Sequence, residues 1–141
     1  MSDRPIQDYY PDNVAICYGC GRNNPHGLHI QTMWEGTEGV CRFTPESHHT
    51  AFPGYVYGGL IASLIDCHSM GTAIAAAHQG AGLEPSLDSD LTYVTANLNV
   101  DYLKPTPAGV ELFRKEPRGR QRFYFPRSDF EVDGTLPAPA L

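Results

Sequence analysis

The clearest hydrophobic pattern in the chain runs from Gly58 to His78. Leu60, Ile61, Leu64 and Ile65 recur at helical spacing, Ala73 to Ala77 are good helix formers, and Gly80-Ala81-Gly82 supplies a stop. A long helix that is apolar on most sides has to be wrapped on several of them. Beyond it, Val94, Ala96, Leu98, Val100 and Tyr102 alternate with Thr95, Asn97, Asn99 and Asp101. That period-two pattern predicts a long strand with one apolar face laid against the helix, stopped by Pro105 and Pro107. Upstream, Leu28 to Trp34 and Val40 to Phe43 read as short strands joined by a hairpin turn at Glu35 to Gly39. Downstream, Val110 to Phe113, Arg122 to Phe125 and Asp129 to Val132 are weaker strand candidates. Cys17 to Gly27 and Thr44 to Tyr57 read as loops, and Met1 to Asn13 as a mobile arm. There is no internal repeat. Two strands, one long helix, then several strands predict a single α+β domain over residues 1–141, with the helix packed on an antiparallel sheet.

Composition narrows the class. A chain of 141 residues can bury one core, and 41% hydrophobic with 18% charged residues is ordinary for a soluble globular protein. The polar, proline-containing start does not read as a signal peptide. The longest apolar run, Leu60 to Ala77, is broken by Asp66 and His68, so no membrane span is expected. The four cysteines then read as reduced thiols and the expected address is the cytoplasm. A net charge of −6 argues against nucleic acid as a partner. No Lys or Arg occurs between Arg42 and Lys104, whereas six of the ten basic residues crowd between Arg114 and Arg127. A carboxylate in the central stretch therefore has no basic neighbour in sequence.

Asp66 is that carboxylate. Its helical neighbours, Ala62, Ser63, Ser69 and Met70, offer no ion pair. An unpaired carboxylate on an apolar helix is costly unless it is used or well hydrogen-bonded, or unless it lies on an exposed face. Directly before the helix stand Tyr57, Gly58 and Gly59. Glycines admit a ligand close to the backbone, and the first N–H groups of a helix point outward at the positive end of its dipole. This is how a site that polarises a carbonyl is built, and also how an ordinary turn is built.

The run Phe52-Pro53-Gly54-Tyr55-Val56-Tyr57-Gly58-Gly59-Leu60-Ile61-Ala62-Ser63-Leu64-Ile65-Asp66 resembles the helix-start signature of PaaI-like hotdog-fold thioesterases, within the 4-hydroxybenzoyl-CoA-thioesterase-like superfamily. Cys17 to Leu28, as C-x-x-C-G-x-x-N-P-x-G-L, resembles the N-terminal segment of one branch, and Val100 to Pro107 resembles the strand after the helix. The resemblance implies a helix wrapped by an antiparallel sheet, assembly as a homodimer or tetramer of dimers with sites at the interface, and an acyl-CoA thioester as substrate. It implies Asp66 as nucleophile or water-activating base, the Gly58 N–H on the thioester carbonyl, and Thr95 positioning the water. Thr95 also reads as a plain strand residue.

Two positions depart from the pattern. The family commonly carries His-Gly-Gly, where this chain has Tyr57; a phenol donates a hydrogen bond but does not shuttle protons at pH 7. His48 and His49 offer a polar group from the preceding loop, and His68 reads as a packing or hydrogen-bonding residue. From Phe113 onward the chain is basic and interrupted by Pro117 and Pro126, and Leu136 to Leu141 cannot form a closing strand. The basic cluster, Arg120 and Arg122 above all, is a candidate for the phosphates of coenzyme A, or else surface charge. Cys17, Cys20, His26 and His29 suggest zinc, but they crowd into thirteen residues around Pro25, and the resemblance accounts for the cysteines without metal. Cys67 reads as a packed thiol. No metal or cofactor is expected. The reading is thus a thioester hydrolase with Asp66, Gly58, Thr95 and Tyr57 in the catalytic site and Gly59, His49, Arg120 and Arg122 toward substrate. The alternatives are an acyl-CoA or acyl-carrier binding protein without turnover, and an acyl-thioester dehydratase or hydratase, which the lack of His at position 57 disfavours.

Overall fold

The computed structural model describes residues 3–85, 93–117, 122–125 and 128–131, with side chains as far as residue 113. A three-stranded antiparallel sheet runs in the order β1 (Thr32–Glu35), β2 (Glu38–Phe43) and β3 (Leu112–Pro117). The helix α1 (Gly58–Gly80) lies against it, and β4 (Arg122–Phe125) pairs with β5 (Ser128–Glu131) as a separate antiparallel hairpin. Glu35 pairs with Glu38 across a two-residue turn led by Gly36, at φ 66°.

Helix α1 is buried as its sequence demands. Ile61, Leu64 and Ile65 join Ile30, Cys41, Val56 and Leu112 in the main core, while Ile74 and Ala75 meet Ile6, Tyr10 and Ala15 in a second cluster. The helix ends where glycine allows it. Gly82 takes φ 70°, its N–H bonds the carbonyl of Gln79, and the N–H of Leu83 returns to His78, a Schellman closure that satisfies the last carbonyls. By length and composition α1 would pass for a membrane span, contrary to expectation: a lone Asp and a His do not lower its hydropathy enough. Its most apolar window is 67% buried inside the domain, so its apolar surface already has a protein partner.

Three other expectations are corrected. Residues 3–13 are not a loose arm, because Ile6–Tyr9 form a 3₁₀ turn whose Ile6 and Gln7 are buried. The Gln7 side chain explains the docking: its Oε1 accepts the Thr32 N–H at 2.8 Å, and its Nε2 donates to Thr32 Oγ1 at 3.3 Å. The first strand begins at Thr32 rather than Leu28, because Leu28 and Ile30 spend their N–H groups on Tyr18 and Gly19 in the preceding loop. The alternating segment 94–102 enters no ladder among the described residues. Leu98 and Val100 rest against the main core as the alternation requires, but Val94 is 83% exposed. Leu136 to Leu141 lie outside the described residues.

Candidate active site

Helix α1 carries the candidate groups at two levels. At its start, Tyr57 is the cap residue, in extended conformation, and its N–H bonds the carbonyl of His49 at 3.0 Å. The Tyr57 ring folds over Gly59 and fills the space a side chain there would need. The Tyr102 hydroxyl donates to the Gly58 carbonyl at 2.7 Å, fastening segment 93–103 to the first turn. Burial raises the Tyr102 pKa, and the nearby Tyr57 raises it further. His49 accepts the Glu46 N–H on Nδ1, and its pKa is lowered by burial and then by the neighbouring His48. Tyr57, His48 and His49 face Tyr18, His26 and Leu28 across a cleft of about 290 Å³.

The second level is Asp66, half-buried about two turns along. Its carboxylate has found a partner outside the helix: the Thr95 hydroxyl donates to Asp66 Oδ1. The segment whose alternation predicted a strand thus delivers Thr95 to the carboxylate without forming one. Eight residues of helix separate Gly58 from Asp66 by about 12 Å. Within one chain they do not reach the same carbonyl.

His68 is fully buried on the opposite side, with Nδ1 2.9 Å from Thr32 Oγ1. Thr32 Oγ1 also accepts from Gln7, so this hydroxyl links the imidazole to the docked N-terminal segment. His68 is a packed, hydrogen-bonded residue, as the sequence suggests. Arg120 lies outside the described residues, and Arg122 is placed through the backbone of β4 alone.

A Cys17, Cys20, His26 and His29 grouping does not assemble. His29 Nε2 lies 2.6 Å from the Asn24 carbonyl and His26 is exposed, while Cys17 and Cys20 meet Cys67 of α1. A hydrogen bond from Cys67 holds the Cys20 thiol down, to about 7, and the same contact together with burial pushes Cys67 up. Two groups carry no such signal in the sequence. Tyr102 falls on an apolar strand position, and Cys67 stands fifty residues from Cys17.

One long apolar helix laid on an antiparallel sheet, with a carboxylate two turns into it, is the architecture of a hotdog protein. A model of the thioesterase superfamily matches residues 53–114. A thioesterase superfamily protein from Shewanella loihica is 47% identical over 65% of this chain and 70% of its own, with a TM-score of 0.51. This chain belongs to the thioesterase superfamily. The PaaI protein of E. coli, from the phenylacetic acid degradation operon, shares the fold at 15% identity and a TM-score of 0.53, over 74% of each chain. Acyl-coenzyme A thioesterase THEM4 of Rattus norvegicus is 37% identical over 68 residues, which are 48% of this chain and 24% of the rat protein. The match thus spans about a quarter of that enzyme's length.

Proposed function

We propose that the protein is a cytoplasmic acyl-CoA thioesterase in which Asp66 activates the attacking water. The observation that carries this reading is the Thr95 hydroxyl on the Asp66 carboxylate, in a helix otherwise free of charge. Having given its single proton to Asp66, Thr95 Oγ1 offers its lone pairs to a water molecule. Asp66 takes one proton from that water while its oxygen adds to the thioester carbonyl carbon. The resulting oxyanion sits on the Gly58 N–H at a helix N-terminus, which suits developing negative charge. Collapse breaks the carbon–sulfur bond, and the proton held by Asp66 goes to the coenzyme A thiolate.

Because Gly58 and Asp66 of one chain stand about 12 Å apart, the site needs Gly58 of one subunit and Asp66 of another. Assembly as a homodimer, or a tetramer of dimers, supplies that arrangement. Gly59, Ala62, Ser63, Asp66 and Met70 form a half-buried stripe along α1 that a second subunit would cover. Arg120 and Arg122 are the candidates for the coenzyme A phosphates. Reduced cysteines suit a cytoplasmic address.

The test is free-thiol release from a panel of acyl-CoA substrates by the wild type and Asp66→Asn. The substitution keeps shape and removes basicity, so turnover falls by roughly 100-fold or more with the fold intact. Equal rates would make Asp66 structural and end the mechanism. Tyr57 in place of the family's His favours a second reading, acyl-CoA binding without turnover. A wild type that binds the panel but releases no thiol would establish it.

A further inference from the structure

Three cysteines that the thioesterase reading leaves unused converge on the flank of α1. The Sγ atoms of Cys17, Cys20 and Cys67 all lie within 4.8 Å of one another, and those of Cys17 and Cys67 are 3.9 Å apart. Thiolates bound to zinc at about 2.3 Å in a tetrahedron stand about 3.8 Å from each other, so the spacing is that of ligands around a common centre. A Cβ on Gly19 would fall 2.2 Å from Cys67 Sγ. The loop backbone is therefore pressed onto the helix thiol as closely as glycine alone permits. The turn is held in shape from its own side: the Gly21 N–H bonds the Cys17 carbonyl at 2.8 Å, and the Ile30 N–H bonds the Gly19 carbonyl at 2.9 Å. Arg22, the cation of this loop, is committed elsewhere, to the Gln7 carbonyl and the Asp12 carboxylate.

We propose that Cys17, Cys20 and Cys67 form a three-thiolate site for a thiophilic divalent cation, zinc in the plainest case, that staples the N-terminal loop to the central helix beside Asp66. The thiol protons leave as the metal enters. Buried Cys67 and half-buried Cys20 supply the inner side of the site, and the exposed Cys17 closes it from solvent, leaving the fourth position to water. This differs from a local C-x-x-C with His26 and His29, because one ligand comes from fifty residues away. It is independent of the thioesterase reading and stands or falls separately from it.

The full-length chain, reduced with a phosphine and stripped of metal, is titrated with Zn²⁺ and, separately, with Co²⁺. Binding of one zinc per chain, a thiolate-to-cobalt charge-transfer band with the intense visible bands of a tetrahedral site, and a raised melting temperature are expected. Cys17→Ser is the main variant because its side chain is exposed and its loss leaves the core intact, and Cys67→Ser is the second. Both lose stoichiometric binding, whereas the double variant His26→Ala with His29→Ala keeps it. Failure of the reduced wild type to bind either ion overturns the proposal, including the case where oxidation joins Cys17 to Cys67 as a disulfide. So does binding that survives both Cys17→Ser and Cys67→Ser or that disappears with the two histidines.

Discussion

Helix α1 and the segment 93–103 lie side by side, and they satisfy their backbones in different ways. The helix bonds its own N–H and C=O groups, closes its end at Gly82, and gives the main core Leu60, Ile61, Leu64, Ile65 and Cys67. Segment 93–103 has no such internal ladder. It touches the rest of the chain through Tyr93 on the second cluster, Leu98 and Val100 on the main core, Thr95 on Asp66 and Tyr102 on Gly58, while Val94 and Leu103 stay exposed. A strand-like sequence needs another strand to take its hydrogen bonds, and an uncovered one is an edge. The difference is that the helix meets its backbone needs locally, whereas the segment that completes Asp66 pairs with no strand among the described residues. Under the proposed function a second copy of the chain supplies that strand.

Ile65→Ala makes the strongest attack on this contrast. Ile65 is fully buried in the main core, so its truncation costs about 2–5 kcal/mol in a denaturant or thermal melt. A smaller loss would mean that the helix is less central than its packing implies. Next comes Gln7→Ala, which strands the buried Thr32 N–H and leaves the Thr32 hydroxyl with His68 alone. The expected cost is about 1–3 kcal/mol, and no loss on mutating Gln7 would return residues 3–13 to the status of a loose arm. The smallest effect on the chain's own fold belongs to Asn99→Pro. Asn99 is exposed and outside any described ladder, so the monomer should lose no more than about 0.5 kcal/mol. The same proline removes an N–H from the strand pairing expected between subunits. Sedimentation should then show monomers, and thiol release should fall with assembly. An Asn99→Pro protein that remains dimeric and active would show that segment 93–103 is not the subunit seam.

The elements legible in the chain are those whose hydrogen bonds are local. Helical spacing from Leu60 to Ile65 and the terminating glycines located α1 within two residues of its end. The hairpin of β1 and β2 was visible because its turn and its alternation agree. The 94–102 alternation is equally regular, yet Leu98 and Val100 meet the core while Val94, Ala96 and Tyr102 stay exposed, because alternation does not say whether a neighbouring strand exists. Docking of residues 3–13 could not be foreseen from a polar, proline-containing start, because it depends on Gln7 finding Thr32 across twenty-five positions.

The candidate site divides in the same way. That an apolar helix carries a lone carboxylate, Asp66, with two glycines ahead of it follows from residue type and helical spacing, which are local properties. That Thr95 supplies the carboxylate's hydrogen bond, that Tyr102 clasps the helix start, and that Cys67 faces Cys17 and Cys20 rather than the histidines near them follows from the folded chain alone. Each of these contacts joins positions far apart in the chain. A sequence states which groups have bonds to make, and the partners appear once the core has closed and brought distant segments within reach.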